Sequence, residues 1–259
     1  MTTGTLLCEV SDGVLWLRLN RPRKLNAMDA DMRRGLLEAL ATTGQSPDVR
    51  AVVIGGTPPA FSAGVDVSEL GDGLLGTVQM LDLGRDIITT IANLPKPVIA
   101  AVRGTAAGAG LSLVLACDLV VAAASASFRP IFADRGLAPD WGCAHLLVQH
   151  AGLLRAKNIL FAGQPLDMRT AQEYGLVTRL CEDDDFEDEL AGFAARLAAG
   201  PTAALGVTKR LLNHAASGAD LAATLALETY GQAFATASAD HAEAVRAFTE
   251  RRAPSFGGR

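Results

Sequence analysis

Apolar and polar positions place most elements of this chain before any motif is considered. Residues 6–20 hold two apolar, β-rich runs that meet at Asp12-Gly13, a dipeptide suited to turn positions with positive φ, so a β-hairpin is predicted. Asp29 stands where it would cap a helix reaching about Thr43, with Met32, Leu36, Leu37 and Leu40 on one face. The run Arg50-Ala-Val-Val-Ile-Gly55 is short and β-branched, as a buried strand is. A loop carrying Phe61-Ser-Ala-Gly-Val-Asp66 follows, then a helix over 74–93 that ends before Pro95 and Pro97. A strand over 98–102, a glycine loop, a short helix near 110–116 and a strand over 119–124 come next. Strands alternating with helices imply a largely parallel sheet covered on both faces, an α/β fold.

After Trp141 the pattern turns helical, with stretches near 142–151, 153–162, 167–174, 184–199, 202–215, 220–237 and 240–251, interrupted by one short strand at 177–180. The acidic run Glu182-Asp-Asp-Asp-Phe-Glu-Asp-Glu189 reads as a solvated helix start, where carboxylates meet the positive end of the dipole. Residues 111–126 are the richest apolar stretch, but Asp118 interrupts them and they fall short of the roughly 20 residues a membrane-spanning helix needs.

Composition narrows the function classes. With 259 residues, 49% hydrophobic and 20% charged, the chain has the make-up of a soluble globular protein able to bury a substantial core. A net charge of −5 and no basic cluster larger than Arg-Pro-Arg-Lys at 21–24 argue against a nucleic-acid partner. The N-terminal residues Met-Thr-Thr-Gly-Thr-Leu-Leu-Cys-Glu-Val lack a basic start and an apolar core, so a cytoplasmic location is expected. Cys8, Cys117, Cys143 and Cys181 are widely spaced and read as reduced thiols. His145, His150, His214 and His241 form no metal-ligand spacing, so no metal is expected.

Arg103-Gly-Thr-Ala-Ala-Gly-Ala-Gly110, between a strand and a helix, requires bare backbone for something to approach. A dinucleotide is one option, but no acidic residue stands about 20 positions beyond Gly104 to take a ribose hydroxyl. No Gly-Lys-Ser/Thr is present for a phosphate loop, and close strand–helix packing alone is a further reading. A parallel sheet, however, brings the ends of the strands before Phe61 and before Gly104 to one edge, where ligands usually bind.

Across residues 6–250 the chain resembles the enoyl-CoA hydratase/isomerase, or crotonase, family. The resemblance is carried by Asn20-Arg-Pro-Arg-Lys-Leu-Asn-Ala27, Phe61-Ser-Ala-Gly-Val-Asp66, Pro95-Lys-Pro-Val-Ile-Ala-Ala-Val-Arg-Gly104, Gly108-Ala-Gly110 with Cys117-Asp118, and the segment from Phe128 through Gly142. It implies a crotonase-type ββα spiral core over 1–195 that binds acyl-CoA, and a helical region over 196–259 through which copies form trimers or dimers of trimers. Leu211, Leu212, Leu221, Leu225 and Phe234 suit such contacts or an intramolecular core equally.

By the same resemblance, the backbone N–H groups of Val65 and Ala109 hold the thioester oxygen, with Ala109 standing where glycine is usual. The Gly108 turn leaves room for the thioester, while the backbone of Arg23, Lys24, Leu25 and Ala63 receives the adenine and Asp66 closes the loop. The basic side chains at 21–24 either meet the nucleotide phosphates or form an ordinary solvated turn. Coenzyme A is part of the substrate, and no added cofactor is expected.

The acid–base positions depart from the family pattern. Where hydratases carry two glutamates this chain has Ser112 and Phe132, both expected to face substrate, and neither is equipped to activate water. Asp140, in Gly136-Leu-Ala-Pro-Asp-Trp-Gly142, resembles the aspartate of family members that shift double bonds; the same residue also reads as a helix N-cap. Trp141, Phe128 and Phe132 line an acyl pocket or fill the core, and Asp134 with Arg135 reads as a surface ion pair or as pocket residues. Double-bond isomerisation of an enoyl-CoA is therefore expected, with hydration by unusual groups and a non-catalytic acyl-CoA binder as alternatives.

Overall fold

A computed structural model describes residues 4–69 and 73–258; Met1 to Thr3, part of the stretch read for a signal, lie outside the described residues. Along the chain, strands β1 (Leu6–Ser11) and β2 (Val14–Leu19) precede α1 (Ala30–Thr43), β3 (Ala51–Gly56) and α2 (Gly73–Asn93). Next come β4 (Val98–Val102), β5 (Thr105–Ala107), α3 (Ala109–Ala116), β6 (Leu119–Ala123) and β7 (Ser127–Arg129). These are followed by α4 (Cys143–Ala151), α5 (Leu153–Ala162), β8 (Leu166–Asp167), α6 (Met168–Glu173) and β9 (Arg179–Cys181). The chain closes with α7 (Phe186–Ala198), α8 (Thr202–Ala216), α9 (Leu221–Thr236) and α10 (Ala239–Glu250).

The main sheet has the order β1-β2-β3-β4-β6-β9, and only the β1–β2 pair is antiparallel. Its strands read as continuous apolar runs because both faces are covered and successive side chains point to opposite sides. Leu15, Leu17, Val52, Ile54, Val98, Ala100, Val120 and Ala122 face the larger core, which also takes in Leu36 of α1, Ile87 of α2 and Val114 of α3. Their alternates Val14, Val53, Ile99 and Val121 face Phe186, Leu190 and Ala194 of α7. Asp29 caps α1 as predicted, accepting from Met32 N–H at 2.9 Å.

Three differences from the sequence reading bear on the site. A second sheet, order β5-β7-β8, is built from strands of two or three residues, too short to leave a periodicity. The strand predicted at 177–180 starts two residues later and ends one later, at Arg179–Cys181. Leu212, Leu221, Leu225 and Phe234 are exposed at 50–74% in the single chain, so an intramolecular core does not account for them. No single described helix is long and apolar enough to cross a membrane.

Candidate active site

The loop after β3 and the turn after β5 are stitched together by main-chain bonds. Ser62 N–H donates to Thr105 O at 3.1 Å and Ala107 N–H to Ser62 O at 2.8 Å, forming a parallel bridge between Ser62 and Ala106. On its other side the loop pairs with residues 25–28: Ala63 N–H donates to Leu25 O at 2.9 Å, Met28 N–H to Gly64 O at 2.7 Å, and Asp66 N–H to Met28 O at 3.1 Å. Gly64 N–H donates to the Ser62 hydroxyl at 3.1 Å. Thus the N–H groups of Ser62, Ala63, Gly64 and Asp66 are all taken, and that of Val65 donates to no described protein group.

Ala109 is in the same condition for a different reason. It opens α3, whose leading N–H groups have no helical acceptor, and the dipole there favours negative charge. The Ser62–Ala106 bridge brings the loop that carries Val65 beside the turn that leads into Ala109. Gly64, the residue before Val65, packs against that turn at φ +97°, and a β-carbon on it would stand 3.0 Å from Ala107 O and 3.3 Å from Ala109 N. Bare backbone at residue 64 is therefore a steric requirement of this pairing. Ala109 has helical backbone, which accommodates its β-carbon.

Buried polar side chains fix the frame around the pair. Asn26, fully buried at φ +55°, accepts from Arg21 N–H at 2.9 Å and donates to Thr57 O and Ala60 O at 2.7 and 2.6 Å. Asp66 takes the Ser68 hydroxyl at 2.7 Å and Arg21 Nη1 at 2.8 Å; these bonds hold its carboxyl down at about 2. It is a structural anion that ties the loop to the turn at 21–28. Arg23, Lys24 and Leu25 lie exposed on that turn, with Leu25 in the left-handed region and its carbonyl anchoring Ala63. Asn26 has no assigned role in the sequence, where it is one letter of a motif, and Arg21 reads there among the basic side chains at 21–24 as a phosphate contact or part of a solvated turn; its guanidinium instead pairs with Asp29 and Asp66.

The third component is the segment 131–142, whose Ile131 side chain flanks Gly108. Asp140 does not cap α4: the N-cap is Gly142, and the Asp140 carbonyl accepts from Cys143 N–H at 2.9 Å. Oδ1 of Asp140 is buried with no hydrogen-bond partner, and burial pushes the carboxyl up to about 6. Ser112, wholly buried on α3, directs its hydroxyl to Asp140 O at 3.1 Å and to Gly108 O at 3.3 Å. That hydroxyl joins the segment bearing Asp140 to the first turn of α3. Phe128, Phe132 and Trp141 are buried at 1–5% within the larger core. Asp134 and Arg135 are exposed and do not pair with each other, which overturns the ion-pair reading.

A cavity of about 350 Å³ between the hairpin and α1, lined by residues such as Leu6, Cys8, Leu15, Ala39 and Val49, shares none of these residues. His150 binds Leu115 O at 3.1 Å, and among the described residues no cluster of His, Cys, Asp and Glu is arranged to hold a metal ion.

Residues 9–259 match the model of the family described as enoyl-CoA hydratase/isomerase. The chain belongs to that family. Within it, the chain is 36% identical to a 1,2-epoxyphenylacetyl-CoA isomerase of Escherichia coli K12, over 98% of each protein. It is 38% identical to a Rhodobacter capsulatus protein named "Probable enoyl-CoA hydratase", over the full length of both. Among solved structures, an enoyl-CoA hydratase from Polaromonas sp. JS666 superposes with a TM-score of 0.92 at 32% identity, covering 97% of this chain and 99% of the other. The fold is the crotonase fold, as the sequence motifs implied.

Proposed function

We propose that this protein moves the double bond of an enoyl-CoA by way of a thioester enolate. The thioester carbonyl accepts from Val65 N–H and Ala109 N–H, two donors fixed before the substrate arrives. Asp140 removes a proton from the carbon beside the carbonyl, charge gathers on the oxygen between the two amides, and the same carboxyl delivers a proton to the far carbon of the allylic system. No water is consumed and no electron leaves, so one carboxyl and one anion-stabilising pair suffice. The adenine end of CoA lies along the backbone of Arg23, Lys24, Leu25 and Ala63.

The observation that carries this reading is the buried, unpartnered Oδ1 of Asp140, whose carboxyl is raised to about 6 on a segment that Ser112 ties by its backbone to the first turn of α3. A group near 6 exchanges protons in both directions at physiological pH, as a shuttle must. Phe132 and the hydrogen-bonded Ser112 supply no second acid to add water; the relatives' names divide between isomerase and hydratase, so the reading rests on these side chains. The test is incubation with trans-2- and 3-enoyl-CoAs of several lengths in deuterated water, read by mass spectrometry. Interconversion of the positional isomers with deuterium entering the acyl chain is expected; accumulation of a 3-hydroxyacyl-CoA would assign hydration, and binding without exchange a carrier. The exposed apolar side chains of α8 and α9 are proposed to seat neighbouring copies in a trimer or a dimer of trimers, which light scattering tests; a monomer at micromolar concentration would reject it.

A further inference from the structure

Three local costs fall on adjacent residues. Asp140 has a buried oxygen with no partner, Trp141 has a buried Nε1 with no partner, and Trp141 holds φ at +48°. Left-handed backbone is a genuine outlier for so bulky a residue, and such a conformation persists only where the surroundings over-determine it.

What surrounds Trp141 is specific. Its side chain is 5% exposed, and a β-carbon on Gly84 of α2 would fall inside the indole ring, against Nε1, Cε2 and Cδ1. Gly84 itself is buried in the middle of α2, on the face that carries Ile87 and Ile91. Glycine is a poor choice for a helix interior on its own account, and here its missing side chain is the space the indole fills. The next residue, Gly142, also has positive φ, at +79°, and its ideal β-carbon position lies 3.7 Å from Ile88 of the same helix.

Asp140 has no side-chain bond to locate Oδ1, so the carboxyl goes where its backbone sends it. That backbone is tied at its carbonyl by Ser112 and Cys143, and turned at the next residue by the seated indole. We infer that Gly84 and Trp141 are socket and plug: the indole, seated in the notch of α2, locks the left-handed turn that aims the Asp140 carboxyl. Both are positioning residues, and their catalytic consequence rests on the isomerase reading above.

The test uses the full chain carrying Trp16→Phe, which leaves Trp141 as the reporter of the two tryptophans. Gly84→Ala expels the ring: the emission shifts to the red, the Asp140 carboxyl titrates nearer an ordinary carboxylate in carbon NMR, and kcat falls by roughly tenfold or more with KM changed less than about threefold. Trp141→Phe, which keeps an aromatic plug and discards the unpartnered N–H, holds kcat within about threefold of the parent. In a Trp141→Gly background, Gly84→Ala has no further effect, because nothing remains to collide with. Unchanged emission and titration in Gly84→Ala, or equal harm from that change with and without the indole, overturns the inference. If Trp141→Gly does not fold, emission and titration of Gly84→Ala alone decide. Should no enoyl-CoA be turned over at all, the functional reading falls while emission and titration still judge the socket.

Discussion

Between residues 62 and 66 the main chain is pinned on both sides, and Val65 N–H is left without a described acceptor while those of Ser62, Ala63, Gly64 and Asp66 each have one. Between residues 139 and 142 the reverse holds: few bonds fix the segment, and polar atoms are left over because they are buried without acceptors or donors. On the proposed reading, the first arrangement delivers chemistry through backbone and is almost indifferent to the side chains of Val65 and Ala109. On the same reading, the second delivers it through a single side chain, Asp140, whose burial rather than its bonding raises its pKa. The two halves of the site should therefore fail differently: the amide pair when its geometry is forced apart, the carboxyl when its charge is removed.

Removing that charge gives the largest expected effect. Asp140→Asn is isosteric and keeps the carbonyl that Ser112 and Cys143 hold, yet cannot move a proton; kcat for double-bond migration is expected to fall about 10²–10⁴-fold, measured by single-turnover deuterium exchange. Stability should move the other way. A carboxyl raised in the folded state contributes most when protonated, below its ordinary 3.8, and that contribution is lost as pH rises through about 6. The asparagine variant is therefore expected to be more stable than the parent at pH 8, by about 1–3 kcal/mol, and to lose that margin near pH 4 in urea titrations. A stability difference that does not change with pH would show that Asp140 is not desolvated.

Next in size is the amide pair. Gly64→Ala puts a β-carbon 3.0 Å from Ala107 O in a backbone region alanine rarely adopts, so Val65 and Ala109 are pushed apart. Losing one preorganised donor costs about 2.7–4 kcal/mol of barrier, or 10²–10³ in kcat. Unlike Asp140→Asn, this change leaves the acid limb of the pH–rate profile where it was. A profile that shifts with the loop would mean the two halves are not independent.

Most of the amide half was legible in the sequence and much of the carboxyl half was not. Glycine-rich turns after apolar strands announce close approach of backbone, and the parallel direction of β3 and β4 brings both turns to one edge. The strands β5, β7 and β8 leave no such trace, although β5 supplies the bridge that brings the loop at 61–66 beside the turn before Ala109. Asp140 was legible as a residue but ambiguous as a role, because Pro-Asp before a helix is also a capping pattern; only the position of Gly142 at the N-cap separates the two. Ser112 stood in the expected substrate-facing register, yet its hydroxyl is turned inward to the backbone. Gly84 carried no signal at all, since a glycine in a helix interior reads as a local weakness until its neighbour across the core is known.

A smaller effect separates the frame of the amide pair from the chemistry. Asp66 has its carboxyl lowered to about 2, chiefly by the Ser68 hydroxyl and by Arg21. A carboxyl lowered in the folded state contributes stability above 3.8 that is lost as pH falls toward 2, so Asp66 should sharpen acid unfolding in that window. Asp66→Asn is expected to cost about 1.5–3 kcal/mol at pH 7 and to flatten the acid limb in a denaturation series. KM for the CoA substrate should rise with it, because the turn at 21–28 and the loop at 61–66 share this ion pair.

Ser112→Ala is the mildest change and the one that joins the two halves. Its hydroxyl is the side-chain link from α3 to the Asp140 carbonyl, which keeps a second donor in Cys143 N–H at 2.9 Å. No buried acceptor is thereby orphaned, so the stability cost should stay near 1 kcal/mol. The segment that bears the carboxyl, however, loses one backbone tie to the first turn of α3, and kcat should fall by a few-fold at unchanged KM. Combined with Gly64→Ala, the penalties should multiply if the amide pair and the carboxyl are set independently, as their contrasting bonding implies. A combined loss no larger than that of Gly64→Ala alone would instead mean that the hydroxyl acts through the α3 turn, making the amide pair and the carboxyl one mechanical unit.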